Sequence, residues 1–278
     1  MIKKLSVVVA DIDGTLCLKG QNLMPRTREA IQRLHREGIL FGPASGRPFD
    51  QRTLDRAKEW ELGFDFDFAI GMNGGELYDS RTKTVERIHM LKKEDIKDII
   101  SFLEGMDLNA IVYVNGYDEI YALRMDDFMQ DSINRNHSHV EIGGKEVLGK
   151  YDTGKIEIHI KPCLKERFLK AVNDHKNDRW SVTKTFEMEN HITYEFMDPR
   201  VNKGLALRKY SEEHQIPLSE FMAFGDMEND ITLLQEAGWG VCLLNGSEMT
   251  KAVAQAVTEY SVFEDGVGNY LFDHWFNK

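Results

Sequence analysis

Only three cysteines, Cys17, Cys163 and Cys242, occur in 278 residues. They lie far apart, form no Cys-x-x-Cys pair, and offer neither an even disulfide framework nor a structural zinc site. A chain so built is expected in a reducing cytoplasm. Basic residues are also in short supply, since 35 Lys and Arg against 46 Asp and Glu leave a formal net charge of -11. That field repels polyanions, so nucleic acid is not an expected partner. Long apolar runs are missing as well. No segment approaches the roughly 20 apolar residues that cross a bilayer, and Val7-Val8-Val9-Ala10 meets Asp11 too soon for a secretory signal. A membrane is therefore not an expected partner either. Asn136-His137-Ser138 and Asn245-Gly246-Ser247 match the glycosylation sequon, but without an export signal they are taken as chance. Internal repeats, low-complexity tracts and long charge runs are absent too.

What remains is the composition of a folded protein, with 42% hydrophobic and 29% charged residues. The length allows one large domain or two ordinary ones. An apolar run at Leu5 to Ala10, a helical pattern around Pro25 to Glu37, a short run at Ile39 to Gly42 and a helical pattern around Phe49 to Trp60 alternate in the first third. The last third repeats that rhythm, with a helix from about Gly204, a strand at Phe221 to Phe224, a helix from about Asn229 and a strand at Trp239 to Leu243. Such alternation predicts an α/β fold, a Rossmann-like parallel sheet core with helices on both faces. Between the two halves the texture changes. Thr84 to Met90, Ala110 to Asn115, Glu119 to Leu123, Lys155 to Ile160, Trp180 to Phe186 and Ile192 to Phe196 alternate apolar and polar residues. With helices around Lys92 to Leu103 and Leu164 to His175, they predict an inserted α+β domain over 84–193, its antiparallel sheet covered on one face. The core is then expected in two parts, 1–83 and 194–278.

Four segments carry chemistry. Asp11-Ile12-Asp13-Gly14-Thr15-Leu16 follows the first strand, where open α/β sheets place their ligands, and the two-residue spacing would set both carboxylates on one side of an extended chain. An Asp-Gly turn that merely ends the strand is the plain alternative. Ala44-Ser45-Gly46-Arg47 precedes a helix that Pro48 could begin, so Ser45 either helps form an anion site at the helix N-terminus or only caps the helix. Lys203 opens another helix, against the macrodipole, and is either a phosphate ligand or a solvated lysine. Gly225-Asp226-Met227-Glu228-Asn229-Asp230 crowds hard oxygen donors at a strand end. These suit Mg2+, although an acidic first helical turn would look the same. All four fall at carboxyl ends of strands or at the helices they feed. Phosphoryl transfer needs a nucleophile, an acid/base, a metal and fixed donors for the phosphoryl oxygens. Asp11, Asp13, Asp226 with Mg2+, and Ser45 with Lys203 can fill those places.

In this order, Asp11-x-Asp13-Gly14-Thr15-Leu16, Ser45-Gly46-Arg47, Lys203-Gly204 and Gly225-Asp226-x-x-Asn229-Asp230 resemble the four motifs of the haloacid dehalogenase superfamily, and the match spans the chain. The insertion resembles the type IIB cap of Cof-like phosphatases, a group that also holds sugar-phosphate phosphatases and phosphomannomutases. The resemblance implies a Mg2+-dependent phosphatase acting on a small-molecule phosphate ester, sugar phosphates or similar monoesters. It makes Asp11 the nucleophile that forms an aspartyl-phosphate and Asp13 the acid and then the base. It gives the metal to Asp11, the backbone carbonyl of Asp13, and Asp226. Ser45, Gly46, Lys203 and Asn229 would hold the phosphoryl group, with Asp230 either beside the metal's water or orienting Lys203. Asn73-Gly74-Gly75 resembles the family's Asn-Gly-Ala turn with Gly75 in place of Ala. A phosphomutase would use the same aspartates but needs a cap that grips a second phosphate, and no dense basic cluster stands out. A phospho-accepting signalling module would lack the insertion and the second acidic strand end.

Other polar residues invite less. His137-x-His139 has no carboxylate or cysteine cluster beside it, Asp126-Asp127 and Lys92-Lys93 look like solvated faces, and Arg124, Arg135 and Arg179 of the insertion are open to a substrate anion.

Overall fold

Val7–Asp11 forms β1, and all five residues are buried, as suits a parallel strand covered on both faces. The structure, a computed structural model, describes residues 2–277. Met1 and Lys278, the outer ends of the expected core segments, lie outside that range. After β1 come α1 (Pro25–Arg36), β2 (Leu40–Ala44), α2 (Gln51–Glu59) and β3 (Phe68–Gly71), followed by β4 (Glu76–Asp79) and β5 (Thr84–Arg87). The middle of the chain carries α3 (Lys93–Phe102), β6 (Leu108–Asn115), β7 (Glu119–Ala122), α4 (Asp127–Asn136), β8 (His139–Ile142), α5 (Lys145–Leu148), β9 (Ile156–Ile160), α6 (Lys165–Asp174), β10 (Ser181–Met188) and β11 (His191–Met197). The last part holds α7 (Lys203–His214), β12 (Phe221–Gly225), α8 (Ile231–Glu236), β13 (Trp239–Cys242), α9 (Glu248–Val253), β14 (Ala256–Val257) and α10 (Gly266–Leu271).

The chain divides into two compact units, Met1–Ile88 with Asn202–Lys278, and His89–Val201. The insertion expected over 84–193 is thus displaced toward the C-terminus. Thr84–Arg87 alternates as a one-sided strand does, but it pairs with β4 at the edge of the first unit's sheet. At the other end β11 continues against β10 as far as the pair Ser181 and Met197.

The first unit holds eight strands in the order β14-β13-β12-β1-β2-β3-β4-β5. They are parallel from β14 to β3, and β4 and β5 add antiparallel pairs. Strand alternation sends Val8 and Ala10 of β1 into one core with Ile31, Leu34 and Trp60. Val7 and Val9 enter another with Leu207, Tyr210 and Leu233. Helices therefore cover both faces. The chain leaves β1 for β2 on one side, and later places β12 on the other, so β1 sits where the strand order turns round. The carboxyl ends at such a point are where open α/β sheets hold ligands. Helix α1 starts after Met24, which supplies no side-chain cap. Asp265, from far along the chain, instead accepts from the Arg26 and Thr27 amides at 2.8 and 2.7 Å, satisfying donors a helix end leaves open.

The second unit is a six-stranded sheet, β10-β11-β9-β6-β7-β8, antiparallel except for the β7 and β8 pair. One face sends Val112, Ile156, Ile158, Ile192 and Phe196 into a core with Ile96, Ile99 and Phe168 of α3 and α6. The opposite face is polar, yet Lys155, Glu157, His159, Thr193 and Glu195 are buried there. Lys155 Nζ meets Glu157 at 2.8 Å and Glu195 at 2.6 Å, and Tyr113 donates to Glu157 at 2.9 Å. Among the described residues no helix is long and apolar enough to cross a membrane.

Candidate active site

Strand register assembles the site. Asp11 lies opposite Ala44, Ala10 opposite Phe224, and Ala44 opposite Ile70. Ser45, Asp226 and the Met72–Gly74 turn therefore leave neighbouring strands at the same edge, beside Asp11.

Lys203 is the first helical residue of α7, whose start is capped by Asn202 accepting from the Leu205 amide at 2.8 Å. The lysine is wholly buried, and its Nζ donates to Asp11 Oδ1 and Asp230 Oδ1, each at 2.5 Å. The solvated reading of Lys203 is thereby excluded. Burial by itself would lower the lysine's pKa, but Asp11 and Asp230 raise it, so the ammonium stays charged. The other oxygen of Asp230 accepts from the Asp226 amide at 2.9 Å and the Met227 amide at 3.2 Å.

Asp226 Oδ1 accepts from the buried Thr15 hydroxyl at 2.7 Å. Gly14, with φ of +98°, lies so close that a Cβ would run into the Asp226 carboxylate. Asn245 closes the same turn by donating to the Gly14 carbonyl at 2.9 Å. Burial pushes the Asp226 carboxyl up to about 6, against the Thr15 hydrogen bond and with help from Asp230. Burial likewise lifts Asp11 well above the ordinary carboxylate range, despite Lys203.

Oxygen ligand atoms of Asp11, Asp226 and Asp230 lie within 4.8 Å of one another, all buried. Three carboxylates share one ammonium, so two negative charges are left over when all are ionised. Hard oxygen donors with that excess fit a divalent cation such as Mg2+. Asp230 is already bound through both oxygens, which leaves Asp11 and Asp226 as the side chains best placed to hold it.

Asp13 stands apart from that cluster. The chain leaves extended geometry after Asp11 and turns, with the Leu16 amide donating to Asp11 and Ile12 and the Cys17 amide to Ile12. The extended run expected through Asp11 and Asp13 is thus a turn instead. Asp13 instead sits in the fork of Arg47, Nε to Oδ2 at 2.9 Å and Nη2 to Oδ1 at 2.8 Å. Ser45 is buried, and its Oγ accepts from the Arg47 amide at 3.2 Å. It neither caps a helix nor lies at one: α2 begins at Gln51, with Asp50 accepting from the Arg52 amide at 3.0 Å.

Asn73 joins two of these segments. Its amide donates to the Ser45 carbonyl at 3.0 Å, and its Oδ1 accepts from Asn229 at 3.0 Å. A Cβ on Gly46 would meet the same Asn73 amide group. The asparagine adopts φ of +54°, a conformation asparagine tolerates better than most residues. Gly74, at +105°, lies so close to Asn202 that a Cβ would run into its carbonyl. Thr15, Asn245 and Arg47 also belong here, and only their places inside or near the motifs hint at it.

The remaining polar residues turn elsewhere. Arg179 pairs with Asp95 and Asp98, Arg124 with Asp107, and Arg135 donates to the Asp131 carbonyl. Asp126 is no solvated charge but the cap of α4, accepting from the Met129 amide at 2.9 Å. His137 ends that helix in a left-handed conformation.

A family model described as haloacid dehalogenase-like hydrolase matches residues 8–271. The chain belongs to this family. Over 285 residues the hydrolase is 27% identical to 5-amino-6-(5-phospho-D-ribitylamino)uracil phosphatase YitU of Bacillus subtilis (strain 168), covering 99% of each chain. TM0651 from Thermotoga maritima superposes with a TM-score of 0.81 at 24% identity, over 97% of both chains. The subclass IIB sugar phosphatase BT4131 gives 0.76 at 21% identity, over 96% of this chain and 98% of that one. The structural likenesses establish the fold, an α/β core with an inserted α+β unit.

Proposed function

We propose that this phosphatase removes phosphate from small phosphorylated metabolites, sugar phosphates or similar monoesters, through a covalent aspartyl-phosphate on Asp11 with Mg2+ in the site. The observation that carries this reading is a buried carboxylate at the end of the central strand, fixed by Lys203 and faced by Asp226. Asp11 attacks phosphorus, and the bond to the leaving oxygen breaks as Asp13 protonates that oxygen. Asp13, now a carboxylate, takes a proton from water. The water oxygen attacks phosphorus and frees Asp11. Lys203 holds Asp11 in place and shares the charge of the phosphoryl oxygens, with Ser45, Gly46 and Asn229 as further donors. Asp230, engaged at both oxygens, orients Lys203. Asp11, Asp226 and the Asp13 backbone carbonyl would hold Mg2+. When bound, the ion supplies the charge compensation that lets a carboxylate approach a phosphate dianion.

The three free cysteines agree with a reducing compartment. The test is a panel of phosphate esters assayed with Mg2+ and after chelation. It includes hexose phosphates and the phosphoribitylamino-uracil for which the Bacillus relative is named. Turnover of one or more esters, silenced by chelation and restored by Mg2+, is expected. Undiminished turnover with metal analysis showing an empty site would remove Mg2+ from the account.

A further inference from the structure

The Asp13 carboxylate is held by a single side chain. Arg47 binds both carboxylate oxygens, at 2.9 and 2.8 Å, and among the described residues no other group hydrogen-bonds that carboxylate. Two parallel charge-assisted bonds fix the plane of a carboxylate as well as its position, which a lysine cannot do. Arg47 is itself anchored through its backbone: its amide donates to Ser45 Oγ at 3.2 Å and its carbonyl accepts from the Met72 amide at 2.8 Å. The fork therefore ties Asp13 to the loop that carries Ser45. Both side chains remain about one-third exposed, 30% for Arg47 and 31% for Asp13. A pair so placed contributes little to stability, and a structural duty does not account for it.

We propose that Arg47 is the positioning residue of the acid/base, holding Asp13 where its proton meets the leaving oxygen. The proposal rests on the reading of Asp13 as the acid. A carboxylate has lone-pair sites beyond the two that the fork occupies, so Asp13 carries its proton on one of these while Arg47 keeps its grip. As the bond from phosphorus to the leaving oxygen breaks, that oxygen takes the proton and Asp13 is left anionic, the form the guanidinium binds best. Misplacing Asp13 costs most where the leaving oxygen is a strong base, and little where it departs unaided.

The experiment measures kcat/KM, which reports the steps through departure of the leaving group. Wild type, Arg47→Lys, Asp13→Asn and the double variant are compared on esters from p-nitrophenyl to alkyl phosphates. Arg47→Lys is expected to lose roughly 10- to 100-fold on alkyl esters, within the ~10²- to 10⁴-fold share of a general acid, and only a few-fold on p-nitrophenyl phosphate. The double variant is expected to be no slower than Asp13→Asn alone, because Arg47 acts through Asp13. An equal loss across the series, with or without a lowered Tm, would mark a structural role and overturn the proposal. So would a raised KM at unchanged kcat, the sign of a phosphate grip, or additive losses in the double variant. If Asp13→Asn shows no dependence on the leaving group, the acid assignment fails and takes the proposal with it. If Asp13→Asn shows that dependence and Arg47→Lys does not, the proposal fails alone.

Discussion

Lys203 begins α7, where the helix macrodipole disfavours a cation by some tenths of a kcal/mol, and it is buried besides. The contacts to Asp11 and Asp230 outweigh both penalties, yet the cluster keeps an excess of negative charge. Its consequence is a pH dependence. The unfolded chain releases the Asp226 proton near 3.8, and the folded, metal-free protein holds it to about 6. Between those values the folded state binds more protons, so the contribution of Asp226 to stability falls as pH rises. A shift of this size is worth on the order of 2 to 3 kcal/mol, which a Mg2+ ion held by this carboxylate, as proposed, would recover. The Tm difference between Mg2+-saturated and chelated protein is thus expected to be small near about pH 5 and larger near about pH 7.5. A difference that grows toward low pH would contradict the assignment of Asp226 to the metal. Asp11 and Asp226 stand out in the sequence as acids at strand ends and Lys203 as a cation at a helix start, and the structure brings the three together. The sequence does not pair Asp13 with Arg47, since that depends on the turn after Asp11, and it leaves Asn73 open, since its partners come from two distant segments.

Among the elements, the Met72–Gly74 turn does the joining. It approaches Ser45 through the Asn73 backbone amide, Asn229 through the Asn73 side chain, and Asn202 through Gly74. Gly74→Ala would force a side chain onto φ of +105° and drive its Cβ into the Asn202 carbonyl, next to Lys203. A cost of about 1 to 3 kcal/mol is expected. Gly63→Ala is the control, because Gly63 also has positive φ, +82°, but open space around it. Denaturant unfolding should therefore show a larger loss for Gly74→Ala than for Gly63→Ala, with activity reduced only in the former. Equal losses would mean that backbone strain alone matters and that the approach to Asn202 does not. The apolar rhythm of the sequence gives β1, β2, β12 and β13, whose burial on both faces makes them continuous runs. It does not give α4 or β8, where the pattern is mostly polar; for α4 the deciding signal is the Asp126 cap.

Across the whole molecule, the motifs of the candidate site come from both ends of the chain and meet in the first unit, while His89–Val201 forms a unit with its own sheet and core. That separation is legible in the change from alternating α and β to half-buried strands. Its borders are not, because an edge strand of a parallel sheet and a strand of an antiparallel one share the same alternation. The proposed phosphatase chemistry requires that Asp11 become phosphorylated. The most direct measurement uses Asp13→Asn with a phosphate ester whose leaving group needs no proton, stopped by rapid quench and read by mass spectrometry. Phosphate is expected to accumulate on Asp11, because attack proceeds while the base for hydrolysis is missing. Phosphate on another residue, or near-normal turnover by Asp11→Asn, would contradict that chemistry.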